Sequence, residues 1–281
     1  MPNIELRSAT ASRAAIKKVM IKRLNKRSIF FVLLISCFLS GCVAKPENGY
    51  LHVQIIPKST EFMLTFDDGP LPNKTELVLD MLANLEAIDG EPVRAGFFLL
   101  ADSSEEFWQR RVTYAPYEIW THKGSIAKYP EIARRIIQEG HTIGNHTAHH
   151  PWFRWPWQDT PEAVQAEFTE WEEISKQVLG KSSTRLFRPP YSILTASVRI
   201  TANLLSYQVV LGESVGDAIP NVSVEAVMKN TESILNEWNK SYPCVLIFHD
   251  NRPATYEHLT EIVNNLQQQG FRLVHFEPER L

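Results

Sequence analysis

Two of the polar segments that follow apolar runs carry side chains suited to holding a metal ion. Asp67 and Asp68 stand side by side before a Gly-Pro turn, so one carboxylate could ligate a metal while the other handles protons. His146 and His150 are four residues apart, a spacing that puts both imidazoles on one face of a helical turn. With Asp68 they would form a two-histidine, one-carboxylate site suited to activating water. Taken separately, a plain Asp-Asp-Gly turn and ordinary surface or core histidines are the alternatives.

Two further segments supply an arginine and a third histidine. Arg188 lies in a loop stiffened by two prolines, where its guanidinium could pair with a buried carboxylate. The apolar run from Val245 predicts a buried strand that delivers His249 at its carboxyl end. A surface arginine beside a structural turn and an isolated strand-end histidine are the simpler interpretations. His149 is expected to point away from the face of the histidine pair, as a structural or solvent-exposed side chain.

Alternating strand and helix patterns predict the scaffold that must position these segments. The strand candidates are 62–67, 93–100, 141–145, 185–188, 207–211, 244–249 and 271–275. The helix candidates are 73–86, 130–139, 161–179, 195–205, 223–238 and 255–269. Regular alternation favours parallel strands with crossover helices, and about seven strands predict an α/β fold, a distorted and incomplete (β/α) barrel. Chemistry in such folds gathers at the carboxyl ends of the strands, where all four polar segments fall.

Taken together and in this order, the four segments resemble the motifs of the polysaccharide deacetylases, carbohydrate esterase family 4 with its NodB homology domain. The family's first motif matches Thr65 to Pro70 in full, and its His-Ser/Thr-x-x-His motif matches His146 to His150. Its Arg-x-Pro-Tyr motif matches Arg188 to Tyr191. Its Leu-x-His motif matches Ile247 to His249, with isoleucine in place of leucine. The resemblance runs from about Glu61 to the last residue.

Three departures from the family pattern stand out. Ser192 replaces the glycine that usually follows the third motif, which affects the backbone freedom of that loop. Asp217 can stand for the aspartate of an Asp-Trp motif, but Ala218 replaces the tryptophan. Residues 101–127 look like an insertion.

The resemblance implies a metal-dependent hydrolase that removes N-acetyl groups from an N-acetylated polysaccharide and releases acetate. Asp68, His146 and His150 would bind a divalent ion, most often zinc in this family. Asp67 would be the general base, held ionised by Arg188. An O-acetyl ester or other amide hydrolase of the same fold, and a non-catalytic glycan-binding lipoprotein, are the alternatives.

The resemblance also implies roles on the leaving-group side. His249 would protonate the departing amine, and Asp217 would orient His249 or raise its pKa. The backbone N–H of Tyr191 would stabilise the oxyanion. Peptidoglycan, chitin-like oligomers, poly-N-acetylglucosamine and xylan all stay open as substrates, and no oligomeric state is predicted.

The segment 152–157 is unusually aromatic. Trp152, Trp155 and Trp157 could stack on sugar rings at the mouth of the cleft. A hydrophobic plug on the barrel rim is the equally weighted alternative.

The N-terminal segment predicts a lipoprotein signal peptide over residues 1–41, with translation starting at Met1 or Met20. A basic stretch precedes eleven apolar residues, which rise only about 16 Å as a helix and are too short to cross a bilayer core. The run ends in Leu39-Ser40-Gly41-Cys42, which resembles a lipobox whose cysteine is lipidated. An ordinary signal peptide with an incidental cysteine, or a core helix, is the alternative.

The remaining chain predicts a tether over residues 42–60 and a catalytic domain over residues 61–281. Residues 1–41 hold eight of the 29 Lys and Arg and one of the 32 Asp and Glu, so the rest is acidic and nucleic-acid binding is excluded. Cys244 is expected to be a buried, inert thiol. The expected location is the bacterial envelope. In a Gram-negative source, an aspartate after the lipidated cysteine would resemble the inner-membrane retention signal. Val43 occupies that position, so the outer membrane, facing the periplasm, is expected there.

Overall fold

Parallel strands form the sheet that supports the polar segments. The computed structural model describes residues 57–102, 124–180 and 184–281. The described strands are β1 Glu61–Asp67, β2 Gly96–Leu99, β3 Thr142–Asn145, β4 Leu186–Phe187, β5 Gln208–Val209, β6 Glu213–Ser214, β7 Cys244–His249 and β8 Arg272–Leu273. Their order across the sheet is β5-β4-β3-β2-β1-β7-β6, and β8 pairs with the start of β1.

Helices connect most successive strands in the described part of the chain, and only β5 and β6 are joined there without one. They are α1 Thr75–Leu82, α2 Pro130–Gln138, α3 Pro161–Leu179, α4 Ala196–Leu204, α5 Val224–Glu237, α6 Pro253–Tyr256 and α7 Leu259–Gln268. The bounds of α3 match the predicted 161–179, because the sequence marks both ends. The Thr160 hydroxyl accepts a hydrogen bond from the Ala163 N–H, Pro161 occupies the first turn, and Gly180 ends the helix at φ 71°.

The predicted fold class is confirmed. Every pairing between named strands is parallel, and among the described strands β5 and β6 end the order without pairing to each other. The sheet therefore curls into a distorted, incomplete (β/α) barrel. Within the described residues the sheet contains eight strands, one more than the approximate number predicted. The additional strand β6 is exposed and two residues long, so it offers no apolar run from which to predict it.

The alternation of β1 separates two layers of core. Phe62, Leu64 and Phe66 pack in the cluster that also contains helix residues such as Val78 and Ile262. Met63 belongs to a second cluster, inside the curl, whose other members come from the strands and their flanking residues: Phe98, Leu186, Val210, Val245, Val274 and Phe276. Since side chains alternate along a strand, Thr65 and Asp67 share the inner face with Met63. The inner face therefore carries the Asp67 side chain of the first polar segment.

Several predicted features lie outside the described residues. They are the signal peptide 1–41, Cys42, most of the 42–60 tether and residues 103–123 of the insertion. Within the described ranges, no helix combines the length and apolarity required to span a membrane. Cys244 is buried as predicted, and burial raises the pKa of its thiol to about 12, with Glu213 adding to the effect. The thiol therefore stays protonated and inert.

Candidate metal centre and active site

Arg188 holds Asp67 inside the curl of the sheet. The fully buried Arg188 donates from Nη1 to Asp67 Oδ1 at 2.7 Å and to Thr65 Oγ1 at 2.9 Å. Its Nε donates to the Val210 carbonyl at 3.1 Å, and its guanidinium carbon lies 4.0 Å from the centroid of the Phe98 ring. Burial lowers the pKa of Arg188 and the Asp67 carboxylate opposes that effect. Asp67 is therefore held by the guanidinium of Arg188, whose own position is determined by these contacts.

Asp68, His146 and His150 converge on one point at the ends of β1 and β3. Asp68 Oδ1 lies 3.5 Å from His146 Nε2 and 3.3 Å from His150 Nε2. All three side chains are buried, and their ligand atoms lie within 4.8 Å of one another. Two ligands that each sit 2.0–2.1 Å from one zinc ion at a tetrahedral angle are about 3.3 Å apart. The donor set and its spacing therefore fit a divalent metal.

The histidine pair does not sit on a helical turn, and that expectation was wrong. Thr147 and His150 have φ values of 73° and 55°, which no right-handed helix contains. The Asn145 side chain accepts from the Thr147 N–H at 2.6 Å, and the Thr147 hydroxyl accepts from the His150 N–H at 2.9 Å. These side-chain bonds bend the segment so that the His146 and His150 rings meet edge to face, with centroids 5.1 Å apart.

The backbone of the third motif determines which nitrogen of His146 can ligate. His146 Nδ1 lies 2.8 Å from the Arg188 carbonyl oxygen, and a carbonyl can only accept. Nδ1 must therefore carry the proton, which leaves the lone pair of Nε2 directed at Asp68. Metal-binding histidines commonly have this type of outer hydrogen bond, which holds both the tautomer and the ring orientation.

His249 forms a second, separate pair with Asp217. His249 Nδ1 lies 2.8 Å from Asp217 Oδ1, while the His249 N–H and the Thr255 hydroxyl each donate to Asp217 Oδ2 at 2.7 Å. Burial alone would lower the pKa of His249, but the charge and hydrogen bond of Asp217, with smaller effects from Asp68 and Asp67, raise it to about 9. His249 is therefore protonated at neutral pH. It also faces Asp67 in the register of β1 and β7.

The aromatic segment contacts the third motif next to the histidines. The Tyr191 ring meets both His150 and Trp152 edge to face, with centroids 4.5 Å apart in each case. Trp155 and Trp157 lie together at 5.2 Å, and Trp157 is 59% exposed. Phe153, by contrast, is fully buried in a core cluster. The segment thus contains both a plug, at Phe153, and accessible tryptophans.

Ser192 occupies a backbone conformation that favours glycine. Its φ is 55°, and that of Tyr191 is 56°. Ser192 thus adopts the left-handed region despite having a side chain, which is unfavourable for residues other than glycine. The replacement of the family's glycine at this position therefore leaves the turn in place.

His149 has a structural position rather than a solvent-exposed one. It is buried, and its N–H and Nδ1 lie 2.9 Å and 3.2 Å from the two carboxylate oxygens of Glu167 in α3. Its Nε2 lies 3.3 Å from Glu170 Oε1 and 3.9 Å from Asp102 Oδ2. His149 therefore connects the bend that carries the paired histidines to α3.

Sequence reasoning missed the contribution of Asp250 and two threonines. Asp250 is fully buried, and its Oδ2 accepts from the Thr75 hydroxyl at 2.6 Å. Burial, reinforced by the charge of Asp68 and opposed by the Thr75 hydrogen bond, raises the pKa of Asp250 to about 7. Thr255 donates to Asp217 in the same way. One indication of a role for Asp250 was present in the sequence, which is that it directly follows His249.

Comparison with known proteins identifies the family. The polysaccharide deacetylase profile matches residues 56–210, more than half of the chain. The chain belongs to the polysaccharide deacetylase family. It is accordingly a hydrolase that acts on carbon–nitrogen bonds other than peptide bonds.

Relatives of this family member include enzymes from several bacteria. A peptidoglycan-N-acetylglucosamine deacetylase from Bacillus cereus is 27% identical over 236 residues, which cover 81% of this chain and 91% of that protein. A chitooligosaccharide deacetylase from Azorhizobium caulinodans is 24% identical over 236 residues, 78% of this chain and 94% of that protein.

Solved structures of other members support the same fold. The family 4 carbohydrate esterase from Streptomyces lividans, in complex with acetate, aligns with a TM-score of 0.56 and 21% identity over 79% of this chain and 96% of that chain. A crystallised peptidoglycan N-acetylglucosamine deacetylase bound to a hydroxamate aligns with a TM-score of 0.59 and 26% identity, over 79% and 88% of the two chains.

Proposed function

We propose that this chain is a metal-dependent N-deacetylase that hydrolyses the N-acetyl groups of a polysaccharide and releases acetate and a glycan amine. The observation that carries the proposal is the placement of a buried Asp68–His146–His150 group beside an arginine-held Asp67, with a protonated His249 across the strand register. A donor set of two histidines and one carboxylate suits zinc. When bound there, the ion would supply Lewis acidity that polarises the acetyl carbonyl and acidifies water.

The general base in this proposal is Asp67. Its carboxylate would take one proton from the attacking water as the oxygen bonds to the acetyl carbon. Arg188 donates a 2.7 Å hydrogen bond to this carboxylate and orients it within the curl. Thr65 shares the same Nη1 donor, so the guanidinium has little freedom to turn away.

The general acid in this proposal is His249. As the carbon–nitrogen bond breaks, its imidazolium would give a proton to the amine nitrogen, so that a neutral amine and acetic acid leave. The acid then ionises to acetate, and proton exchange with the amine and solvent returns Asp67 to its carboxylate and His249 to its imidazolium. Asp217 keeps His249 protonated and fixes its ring through Nδ1. The Tyr191 backbone N–H would be the donor that stabilises the tetrahedral oxyanion, a contribution of roughly 3–4 kcal/mol where such donors have been removed.

The proposed substrate is a polymer of N-acetylated amino sugars, of the peptidoglycan or chitooligosaccharide type. Support comes from the relatives, whose names specify these substrates. The half-buried Trp152 beside Tyr191, and the exposed Trp157 with Trp155, would contact sugar rings through their apolar faces.

The proposed location is the bacterial cell envelope, with the enzyme held by lipid on Cys42. The support is the basic stretch, the apolar run and the Leu39-Ser40-Gly41-Cys42 box. Residues 43–60 would then act as a tether. Because Val43 follows the cysteine, the proposed site in a Gram-negative source is the outer membrane, facing the periplasm.

Acetate release from defined glycans tests the catalytic proposal. The soluble domain should release acetate from N-acetylglucosamine oligomers and peptidoglycan fragments, lose this activity with a chelator, and regain it with zinc. Asp67→Asn is the matched control, because it should retain the metal without turnover. Faster release from O-acetylated xylan than from any N-acetylated glycan would favour the ester hydrolase instead. Glycan binding with no acetate release from either would favour the non-catalytic alternative.

A further inference from the structure

The loop that carries Asp68 has a backbone that needs external support. Asp68 has a φ of 73°, a region that residues other than glycine rarely occupy. Such conformations persist where surrounding contacts determine them, and they cluster at functional sites. The position of the Asp68 carboxylate therefore depends on what holds the segment that follows it.

Asp250 and Thr75 contact this loop and hold its backbone in place. The Thr75 hydroxyl accepts from the Leu71 N–H at 2.7 Å and donates to Asp250 Oδ2 at 2.6 Å, so both of its hydrogen-bonding directions are determined. The Asp250 carboxylate also packs against Gly69, where an added Cβ would lie 2.1 Å from Asp250 Oδ2. The loop is thus held at positions 69 and 71, one and three residues beyond Asp68.

The anchor of this arrangement is rigid. Asp250 and Thr75 are both fully buried, and Asp250 directly follows β7, which pairs with β1 in register from Phe62 to Asp67. Thr75 is the first residue of α1. The two residues therefore connect the end of one central strand and the start of one helix to the loop between β1 and α1.

We propose that Asp250 and Thr75 are positioning residues that hold Asp68 in the geometry needed for metal binding. This inference rests on the proposed function only in taking Asp68 as a metal ligand. Neither residue contributes a ligand atom to the Asp68–His146–His150 group. Their effect is on the affinity for the metal, exerted through the backbone of the loop that carries Asp68. Loss of the groups that hold metal ligands in position typically lowers metal affinity by 10–100-fold.

Zinc titration of the metal-free full chain against a chromophoric chelator tests the proposal without relying on activity. Thr75→Val keeps the shape of the side chain and removes the hydroxyl, so the zinc dissociation constant should rise by about 10-fold or more. Thr75→Ser restores the hydroxyl and should return the constant to near the parent value. Asp250→Ala should weaken zinc binding at least as much as Thr75→Val, and excess zinc should restore acetate release in both variants.

Thr231→Val separates positioning from general loss of stability. Thr231 is also fully buried, and its hydroxyl donates to the Val227 carbonyl within α5, away from the metal group. Zinc affinity should be unchanged in this variant. Parent-like zinc affinity in folded Thr75→Val and Asp250→Ala would overturn the proposal, as would equal weakening in Thr231→Val. Parent-like zinc affinity in Asp68→Ala would instead contradict the assignment of Asp68 as a metal ligand, on which the proposed function depends.

Discussion

Replacing Asp217 with asparagine should move the alkaline limit of activity, because Asp217 keeps His249 protonated. In the parent chain the pKa of His249 is raised to about 9, although burial opposes the charged form. The Asp217→Asn substitution would remove the negative charge and leave the burial. Burial would then be opposed only by the smaller charge effects of Asp68 and Asp67, so the pKa of His249 should fall to its ordinary value of about 6.5 or lower. The difference of at least about 2.5 pH units corresponds to roughly 3 kcal/mol of lost interaction with the imidazolium.

The assay is the pH dependence of kcat/KM for acetate release, which reports groups of the free enzyme. The parent should stay active up to about pH 9. In Asp217→Asn activity should fall above about pH 6.5, and at pH 7.5 no more than about one tenth of His249 should be protonated. Asp80→Asn is the matched control, because Asp80 is an exposed partner of Arg135 away from the site. An unshifted alkaline limit in Asp217→Asn would refute the assignment of His249 as an acid sustained by Asp217.

The same pair predicts a direction for stability. A histidine whose pKa is raised on folding stabilises the folded state fully below its unfolded pKa of about 6.5. That contribution declines as the pH rises toward about 9, the value for folded His249. Between these limits, urea unfolding should show the parent losing stability with increasing pH more steeply than Asp217→Asn. If the unfolding free energies of the parent and Asp217→Asn changed equally with pH, the predicted coupling between His249 protonation and stability would be contradicted.

Three further predictions address the ligands, the glycan surface and the anchor. His146→Ala should lower zinc content and acetate release together, whereas Asp67→Asn should keep its zinc and lose about 10²–10⁴-fold in turnover. Full zinc content of His146→Ala by elemental analysis, or near-normal turnover of Asp67→Asn, would contradict the corresponding role. Trp152→Ala should raise KM for a long oligomer more than for N-acetylglucosamine disaccharide, and an equal change for both would remove Trp152 from polymer binding. Cys42→Ser should shift the chain from the membrane to the soluble or unprocessed fraction without changing the activity of the purified domain, and membrane fractionation equal to that of the parent would contradict lipidation.

Element positions were largely predictable because the local cues agreed. The capping threonine, the N-terminal proline and the terminal glycine of α3 all lie in the local sequence, so both ends of the helix could be predicted. β7 was recognisable as a continuous apolar run, and its six residues match the predicted range. The two polar residues of β6 carry no such pattern, since their pairing with β7 depends on neighbouring chain rather than on their own composition.

The sequence by itself determined the fold class, the family and which side chains are available for chemistry. Periodicity and cap residues are local properties, and the motif residues retain their types and order wherever the backbone places them. Tertiary structure decided how those side chains meet. The His146–His150 geometry comes from positive φ values and side-chain bonds of Asn145 and Thr147, not from helical spacing. The Asp217–His249 and Asp250–Thr75 pairs join residues 32 and 175 positions apart, and only folding brings such distant positions within hydrogen-bond distance.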